Sequence, residues 1–262
     1  MNKTKTMNTM QATSPQLSID GSVATIRLAN PSYANRLSPA DLDTIREHLD
    51  TVNHQPDILV LRFIADGKYF CSGYDISSLA ADSAPSSLYF GETVDLIEQA
   101  RPVTIAAVNG GVYGGGTDLC LACDFRIGST AANMFMPASK LGLHFYPGGM
   151  VRYITRLGLN HAKRLFLTAD KIEAPEMKEI GFLTELVEPS ELTERIDHLT
   201  QQLAAMAPLA LLGIKKHLNL IARGQLDEAA INKAVLHSEQ SKDIKEGAAA
   251  WKEKRTAVFK GN

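Results

Sequence analysis

The chain lacks the features that would mark it as secreted, nucleic-acid-binding or membrane-embedded. It has three cysteines in 262 residues, an odd number that offers no disulfide framework and fits a reducing cytoplasm. Its 27 Lys and Arg nearly balance 29 Asp and Glu, so no basic surplus awaits a nucleic acid or an anionic membrane. No apolar run is long enough to span a bilayer. The first fifteen residues, from Met1 to Pro15, carry only Lys3 and Lys5 as charges and have no apolar h-region. Residues 1–16 are therefore expected to be a disordered leader rather than a secretory signal. The sequence pattern shows no internal repeat and no low-complexity linker.

What the chain does have is concentrated in one stretch, Pro102 to Asp124: P-V-T-I-A-A-V-N-G-G-V-Y-G-G-G-T-D-L-C-L-A-C-D. It predicts a buried strand over 103–108, a glycine turn over 110–116 and a helix starting near Gly115. Such a junction aims backbone N–H groups at one point, with the positive end of the helix behind them. A phosphate, a carboxylate or a developing oxyanion suits that point. A nucleotide-phosphate loop would need a lysine where Gly116-Thr117-Asp118 stands. A dinucleotide fingerprint would need G-x-G-x-x-G early in a βαβ unit, which this turn does not match. An oxyanion hole needs a second N–H donor from elsewhere. A purely architectural glycine turn is the plain alternative. Within the stretch, Cys120 and Cys123 have no second pair or nearby histidine and read as small core residues.

The rest of the pattern supplies the frame. Residues 17–28 alternate around Asp20-Gly21 as a β-hairpin. Ser38-Pro39 caps a helix with Leu42, Ile45, Leu49 and Val52 on one face, ending near His54. Residues 57–64 predict a strand buried on both faces. Residues 77–88, rich in Ser and Ala, read as a mobile segment, and a helix follows to about Ala100. Short strands are expected at 125–128 and 134–136. From Gly149 the pattern is helical. Strands alternating with helices, then helices alone, predict an α/β fold with a helical C-terminal region: a core over 17–200 and helices over 201–262 of the same fold.

A second stretch, Y-F-C-S-G-Y-D-I over 69–76, follows the strand at 57–64. Together with the glycine turn it resembles the crotonase family, the enoyl-CoA hydratase/isomerase superfamily. There an F-x-x-G-x-D-[IL] stretch and a G-G-G-x-[ED] turn each supply one oxyanion N–H. The resemblance continues through Asn30-Pro31 to Asn35-Arg36-Leu37-Ser38, the L-A-C-D at 121–124, residues 163–187 and the tail from Glu246 to Gly261. It covers roughly residues 17–261. It implies a spiral of ββα turns, with C-terminal helices forming the interface of a homotrimer or a dimer of trimers. An apolar helix carrying Leu209, Leu211, Leu212, Ile214, Leu218 and Ile221 fits that interface; burial within one chain is the alternative.

The resemblance places the oxyanion hole at the backbone N–H groups of Tyr74 and Gly115. Asp118 takes the position of the family's first catalytic glutamate. The second glutamate, in Q-P-E-x-x-x-G, is replaced: residues 136–142 read M-P-A-S-K-L-G, with Ala138 at the position. Two-carboxylate hydration should suffer, because alanine transfers no proton. Tyr146 stands where isomerases and dehalogenases of the family carry an aspartate, and is expected to assist as a proton or hydrogen-bond donor. His144 is a weaker candidate, Lys140 a surface residue, and Tyr74 and Tyr113 are expected to shape the acyl pocket. Substrate and coenzyme A contacts are implied for Tyr33, Ala34, Ser72, Asp75, Ile76, Gly114, Pro137, Ala138 and Leu141. Lys252, Lys254, Arg255 and Lys260 could neutralise phosphates or be a solvated helix face. No metal is expected, and no cofactor beyond the coenzyme A carried by the substrate.

The expected activity is acyl-CoA processing of the enoyl-CoA hydratase/isomerase type through a stabilised thioester enolate. Within the family, a double-bond isomerase, decarboxylase or thioesterase is open, and so is a non-catalytic acyl-CoA binder. A phosphate-binding protein is the remote alternative.

Overall fold

The computed structural model describes residues 14–76 and 86–262. Most of the segment expected to be mobile, and all but the last residues of the expected leader, lie outside that range. The first strand, β1 (Gln16–Asp20), pairs antiparallel with β2 (Val23–Leu28), with Asp20 opposite Val23. Gly21, at φ +54°, makes this tight hairpin turn as the Asp-Gly pair predicted.

α1 (Pro39–Asn53) begins at Ser38, whose hydroxyl accepts from Asp41 N while the Asp41 carboxylate accepts from Ser38 N. This reciprocal cap satisfies two donors that the helix cannot. Leu42, Ile45, Leu49 and Val52 form its buried face, each contributing about 1.5–3 kcal/mol by leaving water.

The middle of the chain repeats one unit. β3 (Val60–Ala65), β4 (Tyr69–Cys71) and α2 (Ser87–Glu98) form the first turn. β5 (Val103–Val108), β6 (Gly111–Tyr113) and α3 (Gly115–Ala122) form the second. β7 (Phe125–Ser129), β8 (Asn133–Phe135) and α4 (Pro147–Leu157) form the third. In each turn the first strand joins a six-stranded sheet, ordered β1-β2-β3-β5-β7-β10. The second strand joins a four-stranded sheet, β4-β6-β8-β9. This is the ββα spiral that the resemblance implied. β2, β3, β5, β7 and β10 run parallel, as do β4, β6 and β8. The C-terminal ends of β4, β6 and β8 therefore lie side by side, each about to enter a loop or helix.

Two expectations need correction. The glycine turn is not all turn, because Gly111–Tyr113 extends as β6. Nor is everything after Gly149 helical. β9 (Ile172–Glu173) pairs antiparallel with β8, and β10 (Glu185–Val187) extends the large sheet beside β7. These segments are too short to carry a period of their own; the exposed edges of β8 and β7 order them. Around them run α5 (Leu159–Thr168), α6 (Ala174–Glu179), α7 (Leu192–Ala204), α8 (Pro208–Ala222), α9 (Glu228–Glu239) and α10 (Lys242–Glu253).

Asp124 and Lys215 show how the helical region is joined to the core. Asp124 accepts from the Thr104 N–H and hydroxyl, and lies 2.9 Å from Lys215 Nζ on α8. That lysine also caps the carbonyls of Ala100 and Pro102. Among the described residues no helix is long and apolar enough to cross a membrane.

Candidate active site

The loop after β4 is held on one side by residues 34–37. Ser72 N donates to Ala34 O, Leu37 N to Gly73 O, and Asp75 N to Leu37 O. Asn35 secures that partner loop from inside, since its amide donates to Asp66 O and Tyr69 O and its carbonyl accepts from Asn30 N. Because successive residues of an extended segment point their backbone groups to opposite sides, these bonds leave the Tyr74 N–H on the side away from Leu37. Tyr33, Ala34, Ser72, Asp75 and Ile76 thus fall on adjoining loops, with Arg36 and Asp75 3.2 Å apart.

On its other side the same loop lies against the start of α3. Gly73 has φ +93°, and a Cβ on it would sit 2.8 Å from Gly115 N. The close approach needs glycine on this loop, and Gly114 (φ +51°) turns the chain from β6 into α3. The first N–H groups of a helix have no partner within it, and α3 is buried from Gly116 to its end. Gly73, the residue before Tyr74, therefore lies directly against the first residue of α3.

The third turn supplies the far wall. Ala138 is 7% exposed and precedes a short 3-10 turn over Ser139–Leu141; an apolar methyl stands there. Pro137 borders Gly114, with its ring about 4 Å from the Cβ that Gly114 lacks. Leu141 is exposed, and so is His144, whose Nδ1 is engaged by Phe145 O. Lys140 is on the surface as expected, with its ammonium on Ala169 O.

Tyr146 and Asp118 do meet, but not as two free groups. The Tyr146 hydroxyl donates to Asp118 Oδ2 at 2.7 Å. Arg152 Nη2 donates to the same oxygen at 2.6 Å, and Arg152 Nε donates to Oδ1 at 2.8 Å. Asp118 is wholly buried. A bidentate guanidinium thus occupies both oxygens of Asp118. Burial, and then the charge of Asp118 beside it, pushes the Tyr146 phenol well above its ordinary value. Burial works against the Arg152 charge, yet Asp118 and Glu98 raise its pKa.

Aromatic rings form a packed run beside Asp118 and the start of α3. Tyr74 packs on Phe90, Phe90 on Tyr146, and Tyr146 stacks on Phe145 at 4.2 Å. Phe90 fills the space a Cβ on Gly115 would need, and Tyr146 the space of a Cβ on Gly91. Tyr113 is not in this run. Its ring packs on Phe135 and Tyr69, and its hydroxyl donates to Asn133, so it shapes the β6–β8 side instead.

Sequence reasoning missed Arg152, Phe90, Asp95 and Glu98. The available signal was an acidic pair three residues apart, Asp95 and Glu98, in the apolar second half of α2, together with an arginine one helical turn after Gly148-Gly149. Arg255, offered as a phosphate partner, spends its guanidinium on Glu246 and Glu253. The thiols of Cys71 and Cys123 are pushed up to about 12 by burial, and that of Cys120 well above its ordinary value; all three are core residues. A cavity of about 1130 Å³ lies elsewhere, against α8, lined among the residues singled out from sequence by Leu209, Leu212 and Lys260.

A spiral of ββα turns feeding two layered sheets, followed by a helical C-terminal region, defines the α/β class to which this fold belongs. The enoyl-CoA hydratase/isomerase family model matches residues 18–262, and the chain belongs to that family. It is 32% identical to the crotonyl-CoA hydratase of Syntrophomonas wolfei, over 90% of this chain and 94% of that protein. It is 30% identical to the carnitinyl-CoA dehydratase of Salmonella typhi, over 94% and 97%. Among solved structures, the enoyl-CoA hydratase of Bacillus anthracis superposes with a TM-score of 0.81 at 29% identity, covering 95% of this chain and all of that one.

Proposed function

We propose that this protein is an enzyme that processes acyl-CoA thioesters through an enolate held by the backbone N–H groups of Tyr74 and Gly115. The observation that carries the reading is the close approach of Gly73, the residue before Tyr74, to Gly115 N, which supports placing the two donors side by side. Each such donor contributes about 3–4 kcal/mol to stabilising a developing oxyanion. Coenzyme A enters over the loops of Tyr33–Ala34 and Ser72–Ile76. The acyl group lies among Tyr74, Phe90, Ala138, Leu141 and Tyr146.

Hydration by two carboxylates is disfavoured here. Ala138 offers no acid, and Asp118 is bound to Arg152. The polar group proposed to face the acyl chain is the Tyr146 hydroxyl, oriented by Asp118. That favours enolate chemistry of the isomerase or exchange type over addition of water: the α-carbon proton passes to the Tyr146 oxygen as the phenol proton moves to Asp118, and the reverse transfer returns a proton to carbon. The test is incubation with crotonyl-CoA and longer, branched and aromatic enoyl-CoAs in D₂O, followed by mass spectrometry. We expect deuterium at carbon without gain of water, reduced at least tenfold by Tyr146→Phe. Gain of water at an enzyme-like rate would return Asp118 to a direct role. Binding without turnover of any thioester would make the protein a non-catalytic acyl-CoA binder.

We also propose a homotrimeric assembly, or a dimer of such trimers, through the helical region. Ile214 and Leu218 on α8 are each 60% exposed and Trp251 on α10 is 88% exposed, more apolar surface than an isolated chain usually leaves in water. Light scattering should give three or six times the 28.5 kDa chain mass; a monomer at micromolar concentration would contradict this.

A further inference from the structure

We propose that Arg223, just past the C-terminus of α8, is a positioning residue for the candidate site: it shares with Arg152 the carboxylate oxygens that hold Arg152 on Asp118. Arg152 Nη1 donates to Asp95 Oδ1 at 2.5 Å and to Glu98 Oε2 at 3.3 Å. Arg223 Nη2 donates to the same Asp95 oxygen at 2.9 Å and to the same Glu98 oxygen, which also accepts from Arg223 Nε at 2.7 Å. Arg156 holds the remaining oxygen of Glu98 at 3.1 Å. The cluster thus runs from α3 through α4 and α2 to α8, with three carboxylates (Asp95, Glu98, Asp118) facing three guanidiniums (Arg152, Arg156, Arg223).

Its position makes the balance consequential. The side chains of Arg152, Asp118 and Glu98 are 1%, 0% and 6% exposed. Charges so placed are screened little by water or salt. Arg223, at 20%, is the edge of the cluster and the one guanidinium contributed by the C-terminal helical region. Asn219, one turn earlier on α8, donates to Glu98 O and fixes the same helix end. Without Arg223, two carboxylates on α2 would draw on Arg152 and Arg156 alone. Arg152 Nη1 would be pulled toward Asp95 and Glu98, and the Nε and Nη2 contacts that align Asp118 for Tyr146 would loosen. Arg223 touches neither Asp118 nor Tyr146, so it acts through Arg152. The helical region is in this way part of the site's geometry and not only its support.

The inference rests on the proposed acyl-CoA reading for its kinetic consequence but not for the coupling itself, and the experiment separates the two. In urea unfolding of the full chain, wild type, Arg223→Met, Asp118→Asn and the double variant should be non-additive by about fivefold or more in the unfolding equilibrium constant. Distant, independent residues add to within about twofold, and that result would overturn the proposal whether or not a substrate is known. With an enoyl-CoA that wild type turns over, Arg223→Met should lower kcat about tenfold with KM within twofold, and Arg223→Lys should restore most of the loss. A purely structural Arg223 would lower the unfolding midpoint while kcat stays at the wild-type value, which would also overturn the proposal. If no thioester is turned over but the cycle is non-additive, the positioning inference stands and the catalytic reading falls.

Discussion

Arg152→Met is expected to destabilise the protein by roughly 3–5 kcal/mol, the usual consequence of removing one partner of a buried ion pair. The side chain is 1% exposed, and all three of its nitrogens donate to carboxylates. Its loss leaves Asp118, wholly buried, with the single hydrogen bond from Tyr146. The methionine can fill the space left by the aliphatic stem but answers none of the buried oxygens. An exposed pair such as Lys171–Glu173, whose side chains are 54% and 64% exposed, sets the contrast: water and salt screen such pairs, which add little to stability. The measurement is urea or thermal unfolding of both variants, Arg152→Met and Lys171→Met. A loss below about 1 kcal/mol for Arg152→Met would mean that water enters the cluster and solvates Asp118. Pairing Arg152→Met with Asp118→Asn should recover part of the loss, because the double variant no longer buries an unanswered carboxylate.

That cluster also marks the limit of what the sequence made legible. The elements that depend on local chemistry were readable: the Asp20-Gly21 hairpin, the Ser38 cap, the buried face of α1, the strand before the glycines and the α3 start at Gly115. The resemblance alone places Tyr74, Gly115, Asp118 and Tyr146 as site positions; the fold puts them on the segments that follow β4, β6 and β8. Arg152 was not readable, since its partners come from positions 95, 98 and 118 and its competitor from position 223. Nothing local distinguishes a guanidinium that turns inward from one that stays in water. The same reason explains Arg255, which looked available on a basic tail and is taken by Glu246. Tyr113 packs on Tyr69 and Phe135 because the stretch read as turn is a strand, and a strand sends neighbouring side chains to opposite faces. β9 and β10, two and three residues long, exist because edges of β8 and β7 were waiting for them.

The largest kinetic effect should come from a single methyl group: Gly73→Ala is expected to lower turnover by about 10²–10³-fold. A Cβ at Gly73 would stand 2.8 Å from Gly115 N, 2.9 Å from Tyr113 O and 3.4 Å from Gly116 N. All three obstacles are backbone atoms of β6 and α3, which cannot swing aside as a side-chain tip would. Phe90 lies against the Gly115 α-carbon, and α3 is buried among its neighbours, so the loop after β4 must give way. Relief means lifting Gly73 and Tyr74 off the start of α3, which separates the two N–H donors proposed to share one oxyanion. Leu37 and Asn35 still anchor the far side of that loop, so the chain should stay folded and retain coenzyme A thioester affinity within a few-fold. Gly158→Ala is the control, because Gly158 has φ +80° and nothing within 4 Å of a new Cβ. It carries the same backbone penalty of about 1 kcal/mol or more with no displacement of α3. If both variants lose stability and only Gly73→Ala loses turnover, the cause is the spacing of the two donors. If Gly73→Ala turns over within tenfold of wild type, the oxyanion is not held between Tyr74 and Gly115, and the proposed chemistry must be sought at another pair of donors.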